Sequence, residues 1–66
     1  MKVVKTNQKD IDSFNIEIFD EVDTLIGDGH YNARTNWAHV IIYSDEMGEL
    51  ESEIVDMIER RELEIR

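Results

Sequence analysis

Residues 11–26 read IDSFNIEIFDEVDTLI, and whether they wind into a helix or extend as a strand decides the fold. Phe14, Ile16 and Ile18 alternate with Asn15 and Glu17, as the two faces of a strand would. At 100° per residue, however, Ile11, Phe14, Ile18, Phe19, Val22, Leu25 and Ile26 share an arc of about 140°, with only Ile16 outside it. The helical template explains seven apolar residues and the strand template three, so the count favours an amphipathic helix. Thr6 or Asn7 would cap its start. Gly27-Asp28-Gly29 would stop it, with Gly27 taking the left-handed conformation.

The flanking segments complete the pattern. Lys2-Val3-Val4-Lys5 suits a brief first strand, because β-branched residues favour the pleated conformation. Residues 30–36, HYNARTN, have no clear period and read as irregular. Residues 37–43, WAHVIIY, form the strongest strand, with Trp37, His39, Ile41 and Tyr43 on one face and Ala38, Val40 and Ile42 on the other. Apolar residues on both faces imply cover on both sides.

Ser44 is a good N-cap for a second helix. Asp45 and Glu46 lie where the helix dipole favours negative charge, and Arg60 and Arg61 where it favours positive. Met47, Leu50, Ile54, Met57 and Ile58 share a face about 100° wide, and Asp56 with Arg60 adds an i, i+4 pair. Leu63-Glu64-Ile65 breaks the period and is either a frayed end or a short last strand. The expected fold is therefore α+β: one small two-layer domain over residues 1–66, in β-α-β-α order with a possible short terminal strand. Two strands alone make a poor sheet in water. A homodimer or a binding partner is expected to complete it.

Composition narrows the function classes. A chain of 66 residues buries only about 60% of its unfolded surface and has little volume for a catalytic pocket, so no enzymatic role is expected. There is no cysteine, hence no disulfide framework or thiolate metal site. No run approaches the roughly 20 apolar residues of a membrane span, and MKVVKTNQKD lacks the apolar stretch of a signal peptide. A soluble cytoplasmic protein is the expectation. The net charge is −9, and between Asp10 and Glu59 the sole cation is Arg34. Such an interior repels nucleic acid and anionic membrane and attracts basic protein surfaces.

Few motifs carry chemistry. His30 and His39 are the only histidines; His39 reads as an ordinary strand residue and Asp28-Gly29-His30 as a turn. Asp20, Glu21, Asp23 and Asp28 fail the EF-hand spacing, and no glycine-rich phosphate loop is present. No metal and no cofactor are expected. Trp37 and Tyr43 read as core residues of their strand, while Tyr31, in a polar segment, reads as the more exposed aromatic anchor.

The carboxylates are more organised. Asp45, Glu46, Glu49, Glu53 and Asp56 fall within an arc of about 100° opposite the apolar stripe, forming one row with neighbours roughly 5–6 Å apart. Asp12, Glu17, Asp20 and Asp23 would lie on the outer face of the first helix. Interleaved lysines, the usual compensation on a solvated surface, are missing. In composition and charge layout the chain is similar to the small acidic proteins, often from phages and mobile elements, that imitate nucleic-acid charge and block nucleic-acid-handling enzymes. That resemblance implies an inhibitor or regulator engaging a basic partner through these carboxylates, with Tyr31 or Trp37 adding apolar contact. The alternative is a homodimeric or subunit-type interaction protein, such as an antitoxin or assembly factor.

Overall fold

Residues 11–26 are not helical. In a computed structural model describing every residue except Asp45 and Met47, the chain forms β1 (Lys2–Gln8), β2 (Ser13–Phe19), β3 (Leu25–Asn32), β4 (Trp37–Ile42) and α1 (Gly48–Glu59). The strands make one antiparallel sheet in the order β1-β2-β3-β4. This corrects the β-α-β-α order, and with it the capping roles of Thr6 and Asn7, which lie inside β1. The sheet has its four strands from one chain, so it does not need a second copy to reach a stable number of strands.

The helical count failed because it weighed apolar positions without weighing turn chemistry. Residues 20–24 form a tight turn. The Asp23 N–H donates to the Asp20 carbonyl (3.1 Å) and the Asp20 N–H to the Thr24 carbonyl (3.0 Å), while the Asp20 carboxylate accepts from the N–H groups of Val22 and Thr24. Asp23 takes a left-handed φ of 62°, which Asp tolerates better than most residues. This is a type I turn closed by a left-handed residue, a common three-residue hairpin loop. In the other hairpins, too, an Asp or Asn side chain takes up backbone N–H groups of the turn. The Asp10 carboxylate accepts from the N–H groups of Asp12 and Ser13, and the Asn32 side chain from those of Arg34 and Thr35.

With the turns in place, period two sorts the side chains. Ile16 and Ile18 of β2, Val3 of β1, and Ala38, Val40 and Ile42 of β4 point to one face and are buried there under Ile54 and Ile58 of α1. Ile16, the residue the helical template discarded, is 1% exposed, whereas Ile11 is 88% exposed at a loop. Of the stripe expected on the second helix, Ile54 and Ile58 are buried and Leu50 and Met57 pack beside them; Met47 lies outside the described residues. Ser44 lies outside α1.

Gly27 and Gly29 occupy the core-facing positions of β3, in register with Ile18 and Ile16 on one side and Ile42 and Val40 on the other. Neither has a positive φ, so neither stops a helix. A Cβ on Gly29 would collide with the His39 carbonyl oxygen, and one on Gly27 with that of Ile41. The two glycines let β4 close tightly on β3.

Helix α1 runs back along β4, tied at both ends. The Ile42 N–H donates to the Glu51 carboxylate (2.9 Å), and the Asn36 side-chain amide donates to the Glu59 carbonyl (2.6 Å). Its end is a Schellman motif built on Arg61. Glu62 N–H donates to the Met57 carbonyl, Arg61 N–H to that of Ile58, and Arg61 has φ of 62°. Beyond it Ile65 bridges to Val3 in parallel, and the Arg66 N–H donates to the Val3 carbonyl. The expected terminal strand is thus a single bridge. Among the described residues no helix is long and apolar enough to cross a membrane.

Two substitutions test this architecture by urea unfolding. Ile16→Ala should destabilise by about 2–5 kcal/mol, while Ile11→Ser should change stability by no more than about 0.5 kcal/mol; a single helix over residues 11–26 requires the reverse order. Gly29→Ala should destabilise by about 1–3 kcal/mol, although alanine in an ordinary strand interior is the better residue.

Candidate binding surface

One helix covers one face of the sheet, and the other face is left open to solvent. It carries Lys2, Val4 and Thr6 from β1, Asn15, Glu17 and Phe19 from β2, Asp28 and His30 from β3, and Trp37, His39 and Ile41 from β4, with Tyr43 continuing the row. Trp37 is 51% exposed, Ile41 50% and Tyr43 55%. The sequence placed Trp37, His39, Ile41 and Tyr43 together correctly, but their face is uncovered, and neither Trp37 nor Tyr43 is a core residue.

The face has a defined internal arrangement. The Trp37 indole stacks on the His39 ring at 6.1 Å between centroids and 19° between planes, and meets His30 at 6.4 Å and 60°. His30 Nδ1 lies 3.3 Å from the Asn15 side-chain oxygen. Next to this aromatic group, Glu17 and Asp28 are direct register partners. Two carboxylates opposite each other across an antiparallel pair repel. The one ion pair among the described residues, Lys2 to Asp23 at 2.9 Å, leaves both without a cation. Asp28 instead accepts a hydrogen bond from the Tyr43 hydroxyl (2.8 Å). That bond, together with partial desolvation and the charges of Asp28 and Glu17, holds the Tyr43 phenol above its ordinary value.

The residues singled out in the sequence are dispersed by the fold. Glu49, Glu53 and Asp56 are exposed on α1 and keep the spacing of one row. Glu46 is exposed just before that helix, and Asp45 lies outside the described residues. Asp12, Asp20 and Asp23 form no helical row. Asp12 sits in the β1–β2 loop, where its carbonyl accepts from the Ala33 N–H, and Asp20 and Asp23 build the β2–β3 turn. Tyr31 is not an exposed anchor: it points to the core side, packs against Phe14 at 5.4 Å and donates its hydroxyl to Asn36 (2.6 Å). Asp28 and His30 were missed as members of a surface because they were read as a turn, and Glu17 was placed on the outer face of a helix instead of opposite Asp28. The alternation of Asn15, Glu17 and Phe19 was the available signal.

Among the described residues no three His, Asp or Glu side chains converge as metal ligands would. No protein-family model, no curated protein and no solved structure matches the chain.

The Tyr43–Asp28 bond has a pH consequence. A phenol whose folded value is raised favours the folded state below about pH 10, and this contribution is lost as pH rises through the raised value. Asp28→Asn should move the Tyr43 midpoint down, towards the ordinary value, in a titration followed by NMR of the ring resonances; an unchanged midpoint would contradict the assigned cause.

Proposed function

We propose that the chain is a small acidic binding protein of the cytoplasm that engages a basic protein, of the kind that handles nucleic acid, as an inhibitor or regulator. The observation that carries this reading is the open sheet face. It combines exposed Trp37, Ile41 and Tyr43 with the uncompensated pair Glu17 and Asp28. Aromatic side chains with polar tips supply contact area that slows release. The net charge of −9, including the exposed row Glu49, Glu53 and Asp56, speeds encounter with a cationic surface. Asp45 and Glu46 extend that charge in sequence. Asp12, Asp20 and Asp23 add to the general field while serving the turns. Tyr31 supports the fold from its inner side.

A direct role on nucleic acid is disfavoured by the same charge. Affinity capture from lysate at low salt, followed by mass spectrometry, tests the proposal. Captured proteins should be predominantly basic, should elute as salt rises from about 50 to 500 mM because exposed charges are screened, and should be retained roughly tenfold less well by Trp37→Ala. Capture without basic bias and without salt dependence would overturn it.

A further inference from the structure

The two edges of the sheet are treated differently. The β1 edge carries Lys2 and Lys5, with Lys9 just beyond, and its register with β2 shifts between Lys5 and Gln8. It is also partly covered by the C-terminal bridge of Ile65 and Arg66 to Val3. Lysines, irregular register and a covering segment are the devices by which sheets prevent further strands from adding. The β4 edge, WAHVII, holds no Lys, Arg, Asp, Glu or Pro and its register with β3 is unbroken; α1 shields it at the Ile42 end, where Glu51 takes the outward N–H.

The backbone groups at that edge can be assigned. The Tyr43 N–H points inward, to the Ile26 carbonyl, and the Ile42 N–H points outward, to Glu51. By strand alternation the N–H and C=O groups of Val40 and Ala38 also point outward, and no hydrogen bond to them is made among the described residues. They border a hollow of about 270 Å³ between β4 and α1, lined by Ala38, His39, Val40, Glu51, Val55 and Asp56 among others.

We propose that the free edge of β4 takes an extended, basic segment of the partner protein as a fifth strand, a mode that rests on the acidic binding role above. Main-chain bonds to Ala38 and Val40 supply the docking. Alternate side chains of the added strand then fall on two different surfaces. Those on the helix side meet Glu51 and Asp56 and suit Lys or Arg. Those on the open side meet Trp37, His39 and Ile41 and suit apolar residues. The ligand is therefore a segment in which basic and apolar residues alternate. A second copy of this chain fits less well, because edge pairing would place Glu51 and Asp56 of both copies on one side of the joined sheet, each copy carrying a charge of −9.

The test uses a nine-residue synthetic peptide alternating lysine and valine, made in two versions, one N-methylated at every lysine and one at every valine. Charge and side chains are the same in both. Residues of one parity direct their N–H groups to the sheet edge, so strand addition should cost one version roughly tenfold or more in affinity and spare the other. For the more stable antiparallel pairing the lysine-methylated version is the weaker. The binding version should slow hydrogen exchange at Ala38 and Val40 and leave His39 and Ile41, already paired to β3, unchanged. Equal, salt-sensitive binding of the two versions overturns strand addition while leaving the acidic-surface reading standing. Failure of both to bind also overturns strand addition, and the capture experiment then decides the broader reading independently. Protection of Ala38 and Val40 that rises with protein concentration alone overturns it in favour of a second copy at the same edge.

Discussion

The burial of Ile54 and Ile58 against the inner face of the sheet is the interaction on which the rest depends. Among the described residues α1 is the one helix that covers this face, with Leu63 and Ile65 packed against the same core, and it seats over Ile16, Ile18, Val40 and Ile42. Two absent side chains sit beneath it: with Gly27 and Gly29 on the inner side of β3, β4 closes tightly on that strand. The ties from Ile42 to Glu51 and from Asn36 to Glu59 then hold the helix alongside β4. Asn36 joins three parts at once, since its side chain also accepts from Tyr31.

Everything notable about the surface follows from that single cover. A four-stranded sheet with one helix has one wet face, and here that face is neither uniformly polar nor charge-balanced. Trp37, Ile41 and Tyr43 remain in solvent beside Glu17 and Asp28. Mutual repulsion across a strand pair is a cost that the fold does not require, since a lysine at either position would remove it. The same helix leaves the edge of β4 bordered by carboxylates, while the opposite edge is guarded by lysines and the C-terminal segment. The two asymmetries meet at β4, which is why a binding role centred on this strand is the reading proposed.

Residues 11–26 satisfy a helical period and fold as two strands and a turn. Seven apolar side chains fit a helical wheel, yet Ile11 and Val22 belong to exposed loops, and Ile16, the misfit, belongs to the core. What the wheel could not weigh was the competing local chemistry. Asp20 and Asp23 favour a tight turn through side-chain bonds and a tolerated left-handed φ, and Ile16 and Ile18 are β-branched. Once the turn forms, a helix through it is excluded. The carboxylate row drawn on that helix vanished with it, while Glu49, Glu53 and Asp56 keep their spacing on α1 because the amphipathic period there has no turn signal within it.

The sequence by itself determined what local preference and period can determine: the strand at residues 37–42 with its two faces, the helix carrying Leu50, Ile54, Met57 and Ile58, the brief strand at the amino terminus, and the excess of negative charge. The tertiary structure decided which apolar residues are inside. Burial depends on what lies opposite each strand, so Trp37 on β4 and Tyr43 just beyond it stay in water because no second layer among the described residues covers them. Tyr31, in a polar stretch, is drawn inward by Phe14 and Asn36. The surface of Glu17, Asp28, His30, Trp37 and His39 exists only because two turns bring β2, β3 and β4 side by side, and pairing between distant segments is not written in the period of any one of them.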